Sequence, residues 1–429
     1  MPDREYTLRP ADSSPKSTGI GESRVGGLAF AFSICIPSDF YKIPIVCYNP
    51  IMKIPRLLLP SLQESLLPGK VVALYGPRQV GKTTLALDLI ERSPYRARYI
   101  SADELLYREA LASQSRQTLG ELLGDAELLV IDEAQRVPNI GLNLKILVDS
   151  FRHARILATG SASFDLANKI SEPLTGRQLT FHLYPVSYPE LSAAFGPLEA
   201  RAQLERWLVW GGYPAIVTAE TPQLRQRLLN ELVGASLYRD LLEWEGLRRA
   251  DKIADLLRLL AFQIGQEVSV AELAASLALN RQTVERYLDL LEKVFVIFRV
   301  GGFSRNLRKE VTKNARYYFY DNGVRNSLIQ NFNPLPLRND VGQLWENFLV
   351  VERRKANQMR GRMVNTYFWR TYDQKEIDYL EESGGRLEGY EFKWQETAPR
   401  RAVRDEFLRA YPDASLTVIH RDNFTDFLS

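Results

Sequence analysis

Soft metal ligands are scarce: two cysteines, Cys35 and Cys47, and three isolated histidines, His153, His182 and His420, in 429 residues. So few cysteines exclude a disulfide scaffold or a thiolate zinc site and fit a reducing cytoplasm, where we expect the protein to reside. The histidines form no cluster, so any metal should be oxygen-bound, which points to Mg²⁺ or Mn²⁺. No apolar stretch reaches the length of a membrane span. Gly27 to Pro37 is apolar but short, and it lacks the basic start and cleavage pattern of a signal peptide. Neither charge sign dominates: 55 Lys and Arg against 52 Asp and Glu leave a net +3. That balance neither argues for nucleic acid nor excludes it, because a local basic groove can exist in a near-neutral protein. What remains is an ordinary globular composition, 45% hydrophobic and 25% charged, long enough for two or three domains with cores of their own.

Against that background one motif stands out. Val71-Val-Ala-Leu-Tyr75 reads as a buried parallel strand, and Lys82 to Arg92 reads as a helix. Between them lies Gly76-Pro-Arg-Gln-Val-Gly-Lys-Thr83. A glycine-rich turn from strand to helix aligns backbone N–H groups and the positive helix end on a triphosphate. Gly76 and Gly81 permit close backbone approach. Arg78, Gln79, Val80 and Thr84 complete the cradle, Lys82 should reach the β- and γ-phosphates, and the Thr83 hydroxyl should sit on Mg²⁺.

Leu128-Leu-Val-Ile-Asp-Glu133 is a hydrophobic strand ending in two carboxylates, at the edge where α/β sheets bind ligands. Asp132 is expected to hold Mg²⁺ through its water shell, and Glu133 to polarise the attacking water. A further strand, 155–158, runs into Thr159-Gly-Ser161, where Ser161 either senses the γ-phosphate or caps the next helix. Arg177 either acts as an arginine finger, in cis or across a subunit contact, or is a surface arginine.

Gly-Pro-Arg-Gln-Val-Gly-Lys-Thr-Thr84, Ile-Asp-Glu-Ala-Gln135, Ala-Thr-Gly-Ser-Ala-Ser163, Leu-Tyr-Pro-Val-Ser187 and Trp210-Gly-Gly-Tyr-Pro214 together resemble a prokaryotic family of AAA-type P-loop ATPases. The resemblance covers about residues 52 to 429. It implies ATP as the nucleotide, Mg²⁺ as the metal, and a C-terminal domain related to PD-(D/E)XK nucleases.

Residues 1–51 are rich in Ser, Pro, Gly and Asp, and Met52 opens an amphipathic lead-in, so 1–51 is expected to be a disordered or mis-annotated extension. Residues 52–190 alternate strands and helices as a P-loop ATPase core, and 191–265 read as a helical lid. From 266 to 305, Ser269-Val-Ala-Glu272 opens a short helix, a second runs from Arg281 to Lys293, and Val294 to Val300 is strand-like. That order is a winged-helix pattern with Arg281, Gln282 and Arg286 on its open face, suited either to DNA or to a protein partner.

Residues 306–429 carry a second set of chemistry-bearing groups. Glu346 lies on a helix, Asp378 on a second strand, and Glu391-Phe-Lys393 on a third. Alternation puts Glu391 and Lys393 on one strand face. Helix, three strands, helix, strand resembles the PD-(D/E)XK nuclease core. Asp378, Glu391 and Glu346 would then bind Mg²⁺, and Lys393 would orient or deprotonate water.

The expected fold is therefore α/β: a P-loop NTPase parallel sheet, helical lid, winged helix and restriction-endonuclease-like C-terminal domain. The expected function is an Mg²⁺-dependent ATPase that couples nucleotide state to a DNA-directed nuclease-like module, with oligomers open. The alternative is a nucleotide-controlled protein-interaction switch whose C-terminal domain is catalytically silent.

Overall fold

The computed structural model describes residues 53–161, 174–237, 250–304, 315–371, 373–398 and 401–429. The expectations for residues 1–51 and Met52, for Ala162 and Ser163, and for the end of the anticipated 224–241 helix lie outside them. Five strands lie in the N-terminal half, with helices between the first four: β1 (Val71–Tyr75), β2 (Ala97–Ser101), β3 (Leu128–Asp132), β4 (Arg155–Gly160) and β5 (Gln178–His182). All pair in parallel, in the order β2-β3-β4-β1-β5. Every residue of β1 and β3 is buried, as continuous hydrophobic runs covered on both faces should be. Val71, Ala73 and Tyr75 enter one core cluster while Val72 and Leu74 enter another, so each sheet face has its own helical layer.

The parallel topology delivers three strand ends, those of β1, β3 and β4, to one edge. After β1 the chain turns through Gly76, where an added Cβ would lie 2.1 Å from the Leu183 carbonyl oxygen. Gly81, at φ 93°, then starts the helix Lys82–Arg92. Both positions need glycine for these stated reasons.

Short helices fill residues 188–231, and the helix Ala250–Phe262 follows. Next comes β6 (Glu267–Val268), the helices Val270–Leu277 and Arg281–Lys293, β7 (Ile297–Gly302) and β8 (Ala315–Phe319). Asn280 caps the second helix through Thr283 N–H at 2.7 Å. The strand anticipated from Val294 starts three residues later. Phe295 takes φ 60°, and the Val296 N–H returns to the Leu291 carbonyl, so this segment ends the helix instead.

The C-terminal region runs through the long helix Val341–Met359, β9 (Asn365–Arg370), β10 (Glu376–Ser383), β11 (Arg386–Phe392), the helix Arg401–Ala410, β12 (Ser415–Ile419) and the helix Phe424–Leu428. One seven-stranded sheet, ordered β12-β11-β10-β9-β7-β8-β6, contains all the strands from β6 onward. The join is a parallel pairing of Gly301 and Gly302 with Tyr367 and Phe368. The domain boundary expected at 305/306 thus cuts a continuous sheet between β7 and β8. Hydrophobic packing is equally continuous: one cluster includes Ile131, Tyr188, Phe298, Trp345 and Phe424.

Candidate functional site

The end of β1 and the end of β3 are separated in the sheet by β4, and the site forms across all three. Asp132 is 3% exposed, and both its oxygens are engaged. Oδ2 accepts from Thr83 Oγ1 at 2.7 Å and from Tyr99 OH at 2.8 Å, while Oδ1 accepts from Thr159 Oγ1. The phosphate loop and the acidic strand tip therefore converge, with the Thr83 hydroxyl and the Asp132 carboxylate in direct contact. Burial, with the charge of Asp132 beside it, pushes the Tyr99 hydroxyl's pKa up, so Tyr99 stays a donor to that carboxylate.

Lys82 is buried, and its ammonium donates to the carbonyls of Gly76 at 2.9 Å and Pro77 at 2.8 Å. The cation thus lies inside the loop that it closes. Thr83 and Thr84 open the helix with exposed side chains, Val80 is fully buried, and Gln79 takes φ 62° at the loop crest. Arg78 lies where the loop meets Tyr213, Phe295 and Asp321.

Glu133 takes φ 53°, and its N–H donates to Thr159 Oγ1 at 3.2 Å. Gln135 Nε2 bridges Glu133 Oε2 at 2.5 Å and Ser161 Oγ at 3.0 Å. Ser161 is therefore wired to Glu133 through an amide. Arg177 is a correction to the arginine-finger expectation in cis. Its carbonyl accepts from the N–H of Val71, the first residue of β1, and its guanidinium pairs with Asp149. In a parallel pair that is the far end of the strand, about 13 Å of β1 away from the loop.

Sequence reasoning missed the groups that clamp the loop from outside it. Arg56 donates to the carbonyls of Val80 and Tyr184, both at 2.6 Å, and to Glu190 Oε1 at 3.1 Å. Glu190 also accepts from the N–H groups of Leu57 and Ser187. Tyr99 and Thr159, the holders of Asp132, were likewise unread, although Thr159 stood in the motif that singled out Ser161.

The same segment is gripped from the C-terminal side. Glu352 Oε2 accepts from Tyr188 N–H at 2.7 Å, and Lys355 Nζ reaches Glu352 Oε1 at 2.7 Å and the Val186 carbonyl at 3.3 Å. The Trp-Gly-Gly-Tyr-Pro motif forms a third tie. Gly212 N–H donates to Asp321 Oδ2 at 2.7 Å, and the Gly212 carbonyl accepts from Val186 N–H.

A second cluster lies on β10 and β11, where the helix Val341–Met359 and Arg316 of β8 reach it. The β10–β11 register sets Asp378 opposite Glu391. Lys393 Nζ stands 3.7 Å from Asp378 Oδ2 and 3.9 Å from Glu391 Oε2. These three residues do come together, and two carboxylates on one face suit the few protein ligands that Mg²⁺ takes. Glu346 is a different matter. Its Oε1 accepts from Tyr318 OH at 2.7 Å and from the buried Arg316 at 3.3 Å, and Arg316 also pairs with Glu376 at 2.8 Å. Burial, then repulsion from Asp378, pushes the Glu346 carboxyl up to about 8. Among the described residues, no three His, Cys, Asp or Glu side chains form a metal-holding group. The expected trio is corrected to a pair, because β8 supplies a guanidinium and a phenol that occupy Glu346.

On the helix Arg281–Lys293, Arg281, Gln282 and Arg286 are exposed opposite the buried Val284, Tyr287, Leu288 and Leu291. Arg281 pairs with Glu285 one turn along at 2.9 Å. No helix among the described residues is long and apolar enough to cross a membrane.

Comparison with known proteins divides the chain in three. Residues 68–192 match an AAA domain, 201–335 a domain of unknown function (DUF8612), and 341–425 a domain of unknown function (DUF4143). Uncharacterized proteins of Mycobacterium tuberculosis and Mycobacterium bovis are each 31% identical over 335 residues, 77% of this chain and 72% of theirs. An uncharacterized protein of Methanocaldococcus jannaschii is 24% identical over 77% of this chain and 76% of its own. A RuvB variant of Thermotoga maritima covers 57% of this chain and 86% of its own at 19% identity, with a TM-score of 0.27. A STAND-type signal transduction ATPase from Pyrococcus horikoshii covers 73% of this chain and 48% of its own at 12% identity, with a TM-score of 0.29. The protein belongs to the same family as its two mycobacterial relatives, and its residues 68–192 are an AAA-type ATPase domain on a P-loop parallel sheet.

Proposed function

We propose that the protein is an Mg²⁺-dependent ATPase whose nucleotide state is transmitted to the C-terminal sheet. The observation that carries the reading is the 2.7 Å contact between Thr83 Oγ1 and Asp132 Oδ2, which unites the two halves of one triphosphate site. Mg²⁺ bound there would neutralise charge on the transferring phosphoryl group. Lys82 exchanges its loop carbonyls for phosphate oxygens, so the loop pays little desolvation when the ligand enters. Glu133 orients the attacking water and accepts its proton, with Gln135 fixing the carboxylate. Ser161, at the other end of that amide, feels the γ-phosphate.

Transmission runs through the long helix Val341–Met359. Its Glu352 and Lys355 hold the backbone of Val186 and Tyr188, while Arg56 ties the neighbouring Tyr184 carbonyl to the phosphate loop. We read residues 266–305 as a winged helix from the strand–helix–helix–strand order of β6 to β7, and the following α/β unit as nuclease-like from its topology and from Asp378, Glu391 and Lys393. On this reading the module acts on DNA. Plasmid, single-stranded and branched DNA, incubated with Mg²⁺ or Mn²⁺ and with or without ATP, test it. Cutting lost in Asp378→Ala and dependent on ATP supports coupling; wild-type protein that cuts none of these substrates removes the nuclease step.

A second reading, a nucleotide-controlled interaction switch with a silent C-terminal domain, is favoured by one observation. Arg316 lies against both Glu346 and Glu376, as in a structural polar network. ATP-dependent capture of a protein partner without cutting would select it.

A further inference from the structure

A cleft of about 970 Å³ opens between β5 and the C-terminal sheet, away from both sites described above, with Thr180, His182, Arg354, Asn357, Arg362 and Glu382 among its walls. β5 is the terminal strand of its sheet. The Val71 N–H bonds the Arg177 carbonyl, and the Leu183 N–H bonds the Tyr75 carbonyl, which commits the odd-numbered residues of this edge to β1. Gln178, Thr180 and His182 therefore turn their backbone groups outward. Gln358 meets the His182 carbonyl. Among the described residues, the Thr180 N–H and C=O and the His182 N–H have no hydrogen-bond partner.

The opposite wall holds two further unmet groups. Asn357 is 4% exposed; its amide nitrogen donates to Glu381, but its Oδ1 has no partner. Arg354 Nε is likewise buried without one, and its guanidinium lies 4.9 Å over the Phe298 ring. Both atoms are closed off from solvent, so they belong to the wall that an occupant lies against, and the groups open to it are those of the strand edge. The occupant must offer N–H and C=O groups in alternation to the strand edge. Polypeptide backbone does so. Two guanidiniums, Arg354 and Arg362, face one carboxylate, Glu382, so the cleft also favours negative charge.

We propose that this cleft binds an extended acidic segment of a partner protein, added as a sixth strand along β5 with its carboxylates towards the exposed Arg362. The site stands whether or not the C-terminal cluster cleaves a phosphodiester.

The test displays a random octapeptide library against the full-length protein, with Thr180→Pro as the counter-target. Proline is tolerated on an edge strand where its N–H would face outward, so the fold should survive, which a thermal melt checks. Enriched sequences should carry Asp or Glu. Synthetic versions should bind wild type at least tenfold more tightly than Thr180→Pro or Arg362→Glu, a charge reversal at an exposed position. Peptide addition should slow hydrogen exchange at the Thr180 and His182 amides. No enrichment over the counter-target, unchanged exchange at those two amides, or displacement of the cleft's occupant only by a dodecathymidylate probe would each overturn the proposal.

Discussion

Arg56 donates a 2.6 Å hydrogen bond to the Val80 carbonyl, fastening the lead-in segment to the crest of the phosphate loop. The same guanidinium holds Tyr184 and Glu190, so one planar fork fixes three acceptors from separate parts of the chain. Arg56→Ala leaves a buried Glu190 unpaired and should cost about 3–5 kcal/mol of stability. ATP affinity should fall about tenfold in the surviving folded protein, read by calorimetry with a non-hydrolysable analogue. Arg56→Lys should rescue little, because an ammonium cannot reproduce the fork. Full rescue by lysine would show that only the charge matters.

Gln135 connects Glu133 to Ser161, and its position suits timing rather than substrate binding. Gln135→Ala should lower kcat about 10- to 100-fold while leaving KM for ATP within about twofold, the pattern of an interaction made in the transition state. Glu133→Gln should bind ATP normally and turn over at least about 100-fold more slowly. Lys82→Ala should abolish binding. Steady-state kinetics with nucleotide titration separates the three, and a Gln135→Ala enzyme that changes KM alone would place that residue in ground-state binding.

The nucleotide site was legible because its parts are local. Val71 to Thr83 writes strand, turn and helix start into one short stretch, and Leu128 to Glu133 writes a strand and its acidic tip. Arg56 and Glu190 are partners across 134 residues, and no periodicity marks such a pair. Of the two alternatives left open for Arg177, the surface arginine holds and the finger in cis does not, and only the pairing with β1 reveals which strand end it occupies. In the C-terminal cluster, alternation correctly aligned Glu391 with Lys393. Arg316 and Tyr318, which claim Glu346, come from a strand that reads as plain hydrophobic sheet.

The Trp-Gly-Gly-Tyr-Pro motif acts as a structural knot. Gly211 has φ 75°, and an added Cβ would lie 2.1 Å from Asp321 Oδ1. Gly211→Ala combines left-handed strain with a clash against a buried carboxylate that caps the helix Asn322–Leu328 through the Val324 N–H. It should destabilise by at least about 2 kcal/mol. Urea unfolding measures this, and a wild-type midpoint would contradict the assignment.

A half-buried histidine and a buried aspartate give opposite pH dependences. Burial, helped by the charge of Arg354, pushes His182 down to about 4, while burial pushes Asp321 up to about 6 against its backbone hydrogen bonds. The unfolded histidine binds a proton that the folded one refuses, so its contribution is full above about pH 6.5 and is lost as pH falls towards 4. Asp321 binds its proton more tightly when folded, so its contribution is full below about pH 4 and is lost as pH rises through 6. Over the shared window the two slopes oppose. His182→Phe removes one of them while keeping a ring against Tyr184, which His182 stacks at 6.1 Å. Relative to wild type, the variant should gain up to about 3 kcal/mol between pH 7 and pH 4. Urea titrations at pH 7, 5.5 and 4.5 read the difference, and identical slopes for the two proteins would mean that His182 already titrates near its unfolded value.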